Sequence, residues 1–330
     1  MPATTALVMT GPQQVQLRAL ALPEPTDTQV IVRTDYSVVS SGTELRCLAG
    51  RQGDGKFPFV PGYSAAGVVV QAGRASGCRE GQRVFCGGSS AFVDMPRQWG
   101  GHASHMLSEG AAVIPLPDGV STKQAALAKI AAIAYHGFRL THVKAEDRVV
   151  VLGLGLLGQL SARLFAAAAR TTAADPSAQR VQAASAAGVE AMLIDHDLQP
   201  LLASCSDSAD VVVDVTGVAA VMAKALDLLR ARPWGDVTHY PPLYLVQGSY
   251  AHDMSIPYAA AFSKEAIFLL SRDNGRDDLE AVLAALAQRR LSVDDLLVNV
   301  VSPADAQRVY EQLAGRGAEM TAVFEWASVA

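Results

Sequence analysis

The chain has 330 residues, half of them hydrophobic and 18% charged, with a net charge of −5. This length suits two domains, and the acidic balance provides no basic surface for nucleic acid or anionic lipid. No apolar run approaches the ~18 residues of a membrane span, and the first residues lack the pattern of a signal peptide. The four scattered cysteines are typical of reduced thiols. We therefore expect a cytoplasmic protein that binds neither nucleic acid nor membrane.

The N-terminal part of the chain predicts a compact, β-rich domain. Glycine- and proline-rich turns separate short apolar runs, which predict strands at residues 6–9, 15–17, 29–36, 65–71, 83–85 and 103–107.

From residue 122 onwards, Ala-rich helical periodicity alternates with short apolar runs. These runs predict strands at residues 149–152, 171–174, 192–194, 211–215, 243–247 and 267–270. Six strands with helices between them predict an α/β fold with a doubly wound parallel sheet. Beyond residue 272 we expect a helix at 278–289, a strand near 297–301 and a helix that begins at Ser302 and Pro303.

A glycine-rich turn of the form G-x-G-x-x-G directly follows strand 149–152: Gly153, Leu154, Gly155, Leu156, Leu157 and Gly158. The glycines permit a tight turn, close approach of a pyrophosphate and packing of helix on strand. The N–H groups at the start of the following helix can bind the phosphates. Asp175 stands 22 residues after Gly153, near the distance typical of the carboxylate that holds a ribose 2′-OH. The pattern predicts an NAD site, because this carboxylate would repel the 2′-phosphate of NADP, although Arg180 keeps NADP open.

The ends of later strands in such a sheet line the cofactor channel. Those ends carry Thr216, Gly217, Gln247, Gly248, Ser249, Leu270 and Arg272, which we predict to bind the cofactor.

Several segments, in the right order, resemble the medium-chain dehydrogenase/reductase superfamily. Residues 40–44 resemble its C-G-T-D segment and residues 58–69 its P-x-x-P-G-H-E-x-x-G-x-V segment. Residues 81–84 are similar to the family's G-D-R-V segment, and residues 100–105 to its G-G-x-A-E-Y segment. Residues 143–153 are similar to the segment that leads into the family's glycine turn. The resemblance implies a GroES-like catalytic domain over 1–125, completed by 272–330, and a Rossmann domain over 126–271.

The chain departs from the family pattern where zinc-dependent members bind their catalytic metal. Ser41 replaces the cysteine, Tyr63 the histidine and, by alignment, Lys129 the further ligand. Hydroxyl and phenol groups are poor zinc ligands at neutral pH, and an ammonium group cannot bind zinc. Only Cys86 falls in the interval that carries four structural zinc cysteines in relatives. We therefore expect a zinc-free member.

A substitute metal site could use His102, His105 and Glu44. This site is disfavoured, because two residues three positions apart on a strand point to opposite faces.

Without zinc, the protein must supply a hydrogen-bond donor to the substrate oxygen. Tyr63 either donates from its phenol or fills the space of the metal. Lys129, the one charge in an apolar helix, either lies in the cleft or extends to the surface. Ser41 is a further candidate, and Thr43 takes the place of the family's proton-relay hydroxyl or stabilises a turn. Glu44 matches an aspartate that orients a ligand, and here it could instead bind an arginine or lysine such as Lys129.

The resemblance implies NAD(H)-dependent interconversion of a secondary alcohol and a ketone. Two subgroups compete: the dehydrogenase of the 3-hydroxyethyl group of bacteriochlorophyllide, and bacterial relatives expected to act on sugar or cyclitol alcohols. Polar loop residues favour a polyol, sugar or cyclitol: Arg46, Arg51, Gln52, Asp54, Lys56, Arg97 and Gln98. An enoyl or quinone reductase and an inactive NAD-binding protein are the alternatives.

Superfamily members commonly pair through the last strand of the Rossmann sheet, so we expect a homodimer. Strand 267–270 is apolar, and such an edge aggregates unless it is paired or covered. Residues 250–262, with three aromatic side chains, could cover it.

Overall fold

The computed structural model describes residues 1–51, 57–96, 98–195, 197–205, 208–236, 239–250, 253–315 and 319–329. Backbone contacts divide the chain into two units, one formed by Met1–Ile130 with Leu279–Ala330 and one by Ala131–Asp278. From the sequence we expected boundaries at 125/126 and 271/272. None of the helices in the described ranges is long and apolar enough to span a membrane.

The N-terminal part of the first unit is an antiparallel β-structure. Its strands are β1 (Ala3–Gly11), β2 (Gln14–Ala21), β3 (Gln29–Val38), β4 (Ala65–Ala72), β5 (Arg83–Cys86), β6 (His105–Glu109) and β7 (Ile114–Pro115). β1 pairs with β2, while β3 pairs with both β4 and β6. Helices α1 (Ser41–Leu48) and α2 (Thr122–Ala125) lie between strands or follow them. The sequence did not predict α1, and β6 begins two residues later than predicted because Ala103 forms an isolated bridge with Ala6.

The second unit is a six-stranded parallel sheet, as predicted. Its strands are β8 (Arg148–Leu152), β9 (Arg170–Asp175), β10 (Glu190–Leu193), β11 (Val211–Asp214), β12 (Leu243–Val246) and β13 (Ile267–Leu270), in the order β10-β9-β8-β11-β12-β13. Along β8, Val149 and Val151 pack into one core and Val150 and Leu152 into the other, as period-two alternation requires. Its helices are α3 (Ala128–Thr141), which begins in the first unit, α4 (Leu156–Ala166), α5 (Ala178–Ala186), α6 (Gln199–Cys205), α7 (Val221–Ala225) and α8 (Tyr258–Ser263). Helix α9 (Arg276–Ala287) begins at the end of this unit, and most of its residues belong to the first unit.

After α9 the chain continues in the first unit through β14 (Val300–Val301), α10 (Ala306–Ala314) and β15 (Val323–Glu325). The Ser302 side chain accepts a hydrogen bond from the Ala304 N–H and caps the short turn that leads into α10, as predicted. β15, which the sequence did not predict, pairs antiparallel with β3. This return places Tyr310 and Trp326 in the apolar core beneath α1.

Candidate functional site

The glycine-rich turn has the geometry that a dinucleotide site requires. Gly153 follows β8 with φ +89°, a conformation that favours glycine. A Cβ on Gly158 would lie 1.8 Å from the Gly153 carbonyl oxygen, so only glycine allows α4 to pack this closely. A Cβ on Gly155 would meet no atom within 4 Å, so open space lies beside the middle glycine. The three positions therefore fit the binding of a pyrophosphate against the first turn of α4.

Leu156 and Leu157 begin α4. The Leu156 side chain is buried, so this residue can offer a phosphate its backbone N–H alone.

Asp175 ends β9 beside the glycine turn, and its carboxylate is nearly fully buried. One oxygen accepts the Leu154 N–H at 2.7 Å, and the other accepts the Ser177 N–H at 2.8 Å. Arg180 Nη1 lies 3.8 Å from the carboxylate. Asp175 thus holds the turn in shape, and a quarter-exposed guanidinium group lies next to it.

Four of the predicted channel residues lie together at the ends of β11 and β12. The Asp214 carboxylate accepts both the N–H and the hydroxyl of Thr216, at 2.9 and 2.7 Å. Gly217 has φ +67°, and a Cβ there would lie 3.0 Å from the Ser249 carbonyl oxygen. The backbone N–H of Gly248 donates to the carbonyl of Asp214 at 2.9 Å.

Leu270 and Arg272 are exposed at the end of β13.

The side chain of Gln247, which we predicted to bind the cofactor, makes hydrogen bonds to other residues of the second unit. It accepts the Ser161 hydroxyl at 2.6 Å and donates to the carbonyls of Ile133 and Ala134 at 3.1 Å each. A Cβ on Gly137 would lie 2.1 Å from Gln247 Nε2, so α3 packs directly on this amide. Gln247 therefore joins α3, α4 and the end of β12, and its side-chain hydrogen bonds are used within the unit.

In the first unit, α1 carries three of the predicted catalytic residues. Ser41 donates its hydroxyl to the Met320 carbonyl at 3.0 Å, which ties the start of α1 to the returning chain. Thr43 is half-buried. Glu44 is fully buried and accepts the Ser40 N–H at 2.8 Å.

The Glu44 carboxylate binds side chains from distant segments, where the sequence suggested an arginine or lysine. Its Oε2 lies 3.0 Å from His102 Nε2 and also accepts the Tyr310 hydroxyl. Burial, followed by the charge of Glu44, raises the pKa of Tyr310 well above its usual value, so this phenol stays protonated and donates. His102 Nδ1 lies 2.8 Å from Ser37 Oγ, which accepts the Trp326 indole N–H at 2.9 Å.

Tyr63 is connected to the hydrogen bonds around Glu44 through Ser40. Its phenol donates to Ser40 Oγ at 2.5 Å, and its ring meets Trp99 edge-on with centroids 5.2 Å apart. Ser40 directly precedes α1 at the N-cap position, so the phenol reaches the start of that helix. We call the following side chains the Tyr63 group: Tyr63, Ser40, Glu44, His102, Ser37, Tyr310 and Trp326.

The donors at the family's zinc positions do not fit a zinc ion. Ser41 and Tyr63 offer hydroxyl groups, and Lys129 is a half-buried ammonium in α3. Among the described side chains, no three of the His, Cys, Asp or Glu type come together as metal ligands. His102 contacts Glu44, whereas His105 lies in β6 and contacts Ser104 Oγ at 3.2 Å.

Sequence reasoning missed Ser40, Ser37, Tyr310 and Trp326, and it considered His102 only as part of a metal site that it disfavoured. One signal was available in the two segments Pro61-Gly62-Tyr63 and Gly100-Gly101-His102, since both put glycine before a large polar ring. The glycines allow the two backbones to approach, with the Gly101 N–H donating to the Gly62 carbonyl at 2.7 Å.

Comparisons with known proteins agree with this architecture. The alcohol dehydrogenase GroES-like domain family matches residues 26–118. The chain is 26% identical to 2-desacetyl-2-hydroxyethyl bacteriochlorophyllide A dehydrogenase of Cereibacter sphaeroides over 336 residues, 99% of either chain. It is 24% identical to D-xylulose reductase A of Aspergillus oryzae over 295 residues, 79% of either chain.

The fold also matches a solved structure, 2R,3R-butanediol dehydrogenase from Bacillus subtilis. The TM-score is 0.83 at 19% identity, covering 98% of this chain and 99% of that one. The segment resemblances, the GroES-like match and the shared fold lead to one conclusion. The chain belongs to the medium-chain dehydrogenase/reductase superfamily.

Proposed function

We propose that the protein is an NAD(H)-dependent oxidoreductase that interconverts a secondary alcohol and its ketone without a catalytic zinc. The observation that carries this proposal is the hydroxyl pair of Tyr63 and Ser40, because Tyr63 aligns with a zinc ligand of the family. Curated relatives that are dehydrogenases or reductases support the reaction class. The absence of a fitting zinc ligand set among the described residues supports a metal-free site.

The glycine turn and the neighbouring strand ends are the residues that would hold the cofactor. Gly153, Gly155 and Gly158 would receive the pyrophosphate, and Thr216, Gly217, Gly248 and Ser249 would line the channel. The bound nicotinamide supplies the hydride acceptor or donor. Asp175 supports NAD over NADP, because its carboxylate lies beside the turn where a 2′-phosphate would be repelled. Arg180 lessens that repulsion.

Tyr63 would meet the substrate oxygen. During alcohol oxidation Tyr63, ionised to the phenolate, takes up the hydroxyl proton, and during ketone reduction its phenol donates one. Ser40 accepts the Tyr63 O–H in the free protein, so this serine holds the phenol in place until substrate arrives. Lys129 would favour the phenolate through its charge, and Thr43, half-buried in α1, is the second hydroxyl candidate.

A polar polyol, sugar or cyclitol is the substrate class that we propose. Arg51 is exposed, and Gln98 directly precedes Trp99, whose ring contacts Tyr63. Gln52, Asp54, Lys56 and Arg97 also entered this prediction, but they lie outside the described residues. A bacteriochlorophyllide-type alcohol is the second candidate, because the relative with that activity aligns over 99% of this chain.

A substrate panel tests the proposal: polyols, sugars, cyclitols, a hydroxyethyl bacteriochlorin and an enone, each assayed with NAD(H) and NADP(H). Turnover of a polar alcohol with NAD supports it, and turnover of the bacteriochlorin selects the second candidate. Activity on the enone alone would identify a double-bond reductase. Tight NADH binding without turnover of any compound would identify an inactive NAD-binding protein.

We also propose a homodimer that pairs through β13, which lies at the edge of the parallel sheet. Two of the aromatic side chains expected to cover it are themselves exposed, Tyr258 by 74% and Phe262 by 55%. The Phe262 ring lies 6.0 Å from Trp234, which is 87% exposed, so these rings form an exposed apolar surface on the same unit. Such a surface is typical of an interface. Light scattering at micromolar concentration should show a dimer, and Phe262→Glu should weaken it, whereas a strictly monomeric wild type would contradict pairing.

A further inference from the structure

His102 is fully buried and holds the backbone that carries Tyr63. Its N–H donates to the Pro61 carbonyl at 3.0 Å. Its ring packs on Gly62, where a Cβ would lie 2.6 Å from His102 Cγ. Gly62 also has φ +84°, so both the conformation and the close contact require glycine directly before Tyr63.

The same imidazole reaches the hydroxyl group of Tyr63 by a second route. His102 Nε2 contacts Glu44 Oε2, and Glu44 Oε1 accepts the Ser40 N–H. Ser40 Oγ in turn accepts the phenol of Tyr63. His102 therefore supports both the backbone of Tyr63 and the side chain to which its phenol donates.

The donors and acceptors of this buried cluster determine which imidazole nitrogen carries the proton. An indole N–H can only donate, so Ser37 Oγ accepts from Trp326 and has its own proton available for His102 Nδ1. His102 Nε2–H then donates to Glu44, which also accepts the Tyr310 hydroxyl. A doubly protonated imidazole would leave the Ser37 proton without an acceptor in this buried cluster. The neutral Nε2–H tautomer satisfies all of these groups.

The cluster cannot carry a proton away from Tyr63. The link between Ser40 and Glu44 is a backbone amide N–H, which donates a hydrogen bond but is too weak an acid to pass its proton on. Within the Tyr63 group, the Ser40 hydroxyl therefore has no onward acceptor through which a proton from the phenol could reach His102. His102 acts by placement alone.

We propose that His102 is a positioning residue for Tyr63, a role that rests on the proposed function of Tyr63 as the donor to the substrate oxygen. His102 holds the phenol at a fixed distance from α1 through Gly62 and through Glu44 and Ser40. Its loss misplaces the phenol while the cofactor site in the other unit is untouched.

A double-mutant cycle of Tyr63→Phe and His102→Gln, followed by turnover, tests this role. Tyr63→Phe should lower kcat by ~10²–10³-fold. His102→Gln should lower kcat about tenfold, and it should leave unchanged both the NADH dissociation constant and the inflection in the pH profile of kcat. In the Tyr63→Phe background, the same substitution should lower kcat by less than about twofold. His105→Gln is the matched control from the same segment and should leave kcat unchanged. If His102→Gln lowers the yield of folded protein, Ser37→Ala replaces it in the cycle.

The results distinguish failure of the positioning role of His102 from failure of the proposed function of Tyr63. A tenfold loss that persists in the Tyr63→Phe background overturns the positioning role and leaves Tyr63 as the donor. Loss of a pH inflection in His102→Gln identifies a relay and also overturns it. Wild-type turnover of Tyr63→Phe overturns the proposed function instead. In that case the thermal unfolding midpoints of the same single and double variants test whether His102 holds Tyr63 in place. If the two single substitutions shift the midpoint additively, His102 does not hold Tyr63.

Discussion

The glycine-rich turn of the second unit and the Tyr63 group of the first unit depend on different parts of the chain. In the turn, backbone conformation and close contacts within a short segment set the geometry, and one carboxylate supports it. In the Tyr63 group, side chains from opposite ends of the sequence meet, with Ser37 and Trp326 separated by 289 positions. Added atoms should therefore damage the turn, whereas removed hydrogen-bonding groups should damage the Tyr63 group.

The largest effect is expected in the turn. Gly158→Ala puts a Cβ 1.8 Å from the Gly153 carbonyl oxygen, so α4 must move away from β8. Fluorescence titration should detect no saturable NADH binding. In Gly155→Ala, the control, the new Cβ meets no atom, so the protein should fold normally but bind NADH more weakly. Normal NADH binding by Gly158→Ala would show that the turn tolerates added atoms.

Removing single polar groups from the proposed catalytic residues should have the next largest effect. Tyr63→Phe and Lys129→Ala should each lower kcat by ~10²–10³-fold while NADH affinity is retained, because each loses a group that stabilises charge on the substrate oxygen. Steady-state kinetics and cofactor titration check both values. If both variants turn over at the wild-type rate, Thr43 becomes the candidate.

Asp175 gives a smaller effect with two separable parts. Asp175→Ala removes the acceptor of the Leu154 N–H, so affinity for both cofactors should fall about tenfold. The ratio of the affinities for NAD and NADP should also decrease, because the carboxylate charge is lost. Asp175→Asn keeps an acceptor oxygen and removes the charge, so it should narrow the preference with little loss of NADH affinity. Tighter binding of NADPH than NADH by the wild type would remove this account of cofactor choice.

Gln247 should affect stability rather than cofactor affinity. Gln247→Leu leaves the Ser161 hydroxyl and two carbonyls without their partner, which should lower the free energy of unfolding by ~1–3 kcal/mol. Urea unfolding and NADH titration separate the two effects. A tenfold loss of NADH affinity at unchanged stability would instead support the predicted contact between Gln247 and the cofactor.

What could be predicted from the sequence follows the same division. The parallel sheet, the glycine turn, the place of Asp175 and the cap at Ser302 all depend on neighbours within one or two elements. The partners of Glu44 could not be predicted, because His102 and Tyr310 reach it only when the segment before β6, helix α1 and helix α10 pack together. The side-chain partners of Gln247 could not be predicted either, because a polar residue at a strand end fits a cofactor contact and an internal hydrogen bond equally well.

The measurement that tests the central claim most directly is zinc content and turnover before and after chelation. The claim is that side chains, led by Tyr63, meet the substrate oxygen in place of a metal. Elemental analysis should find well under one zinc per chain, and turnover should be unchanged after treatment with a chelator, because Ser41, Tyr63 and Lys129 do not bind zinc. Stoichiometric zinc together with loss of turnover on chelation would contradict the claim.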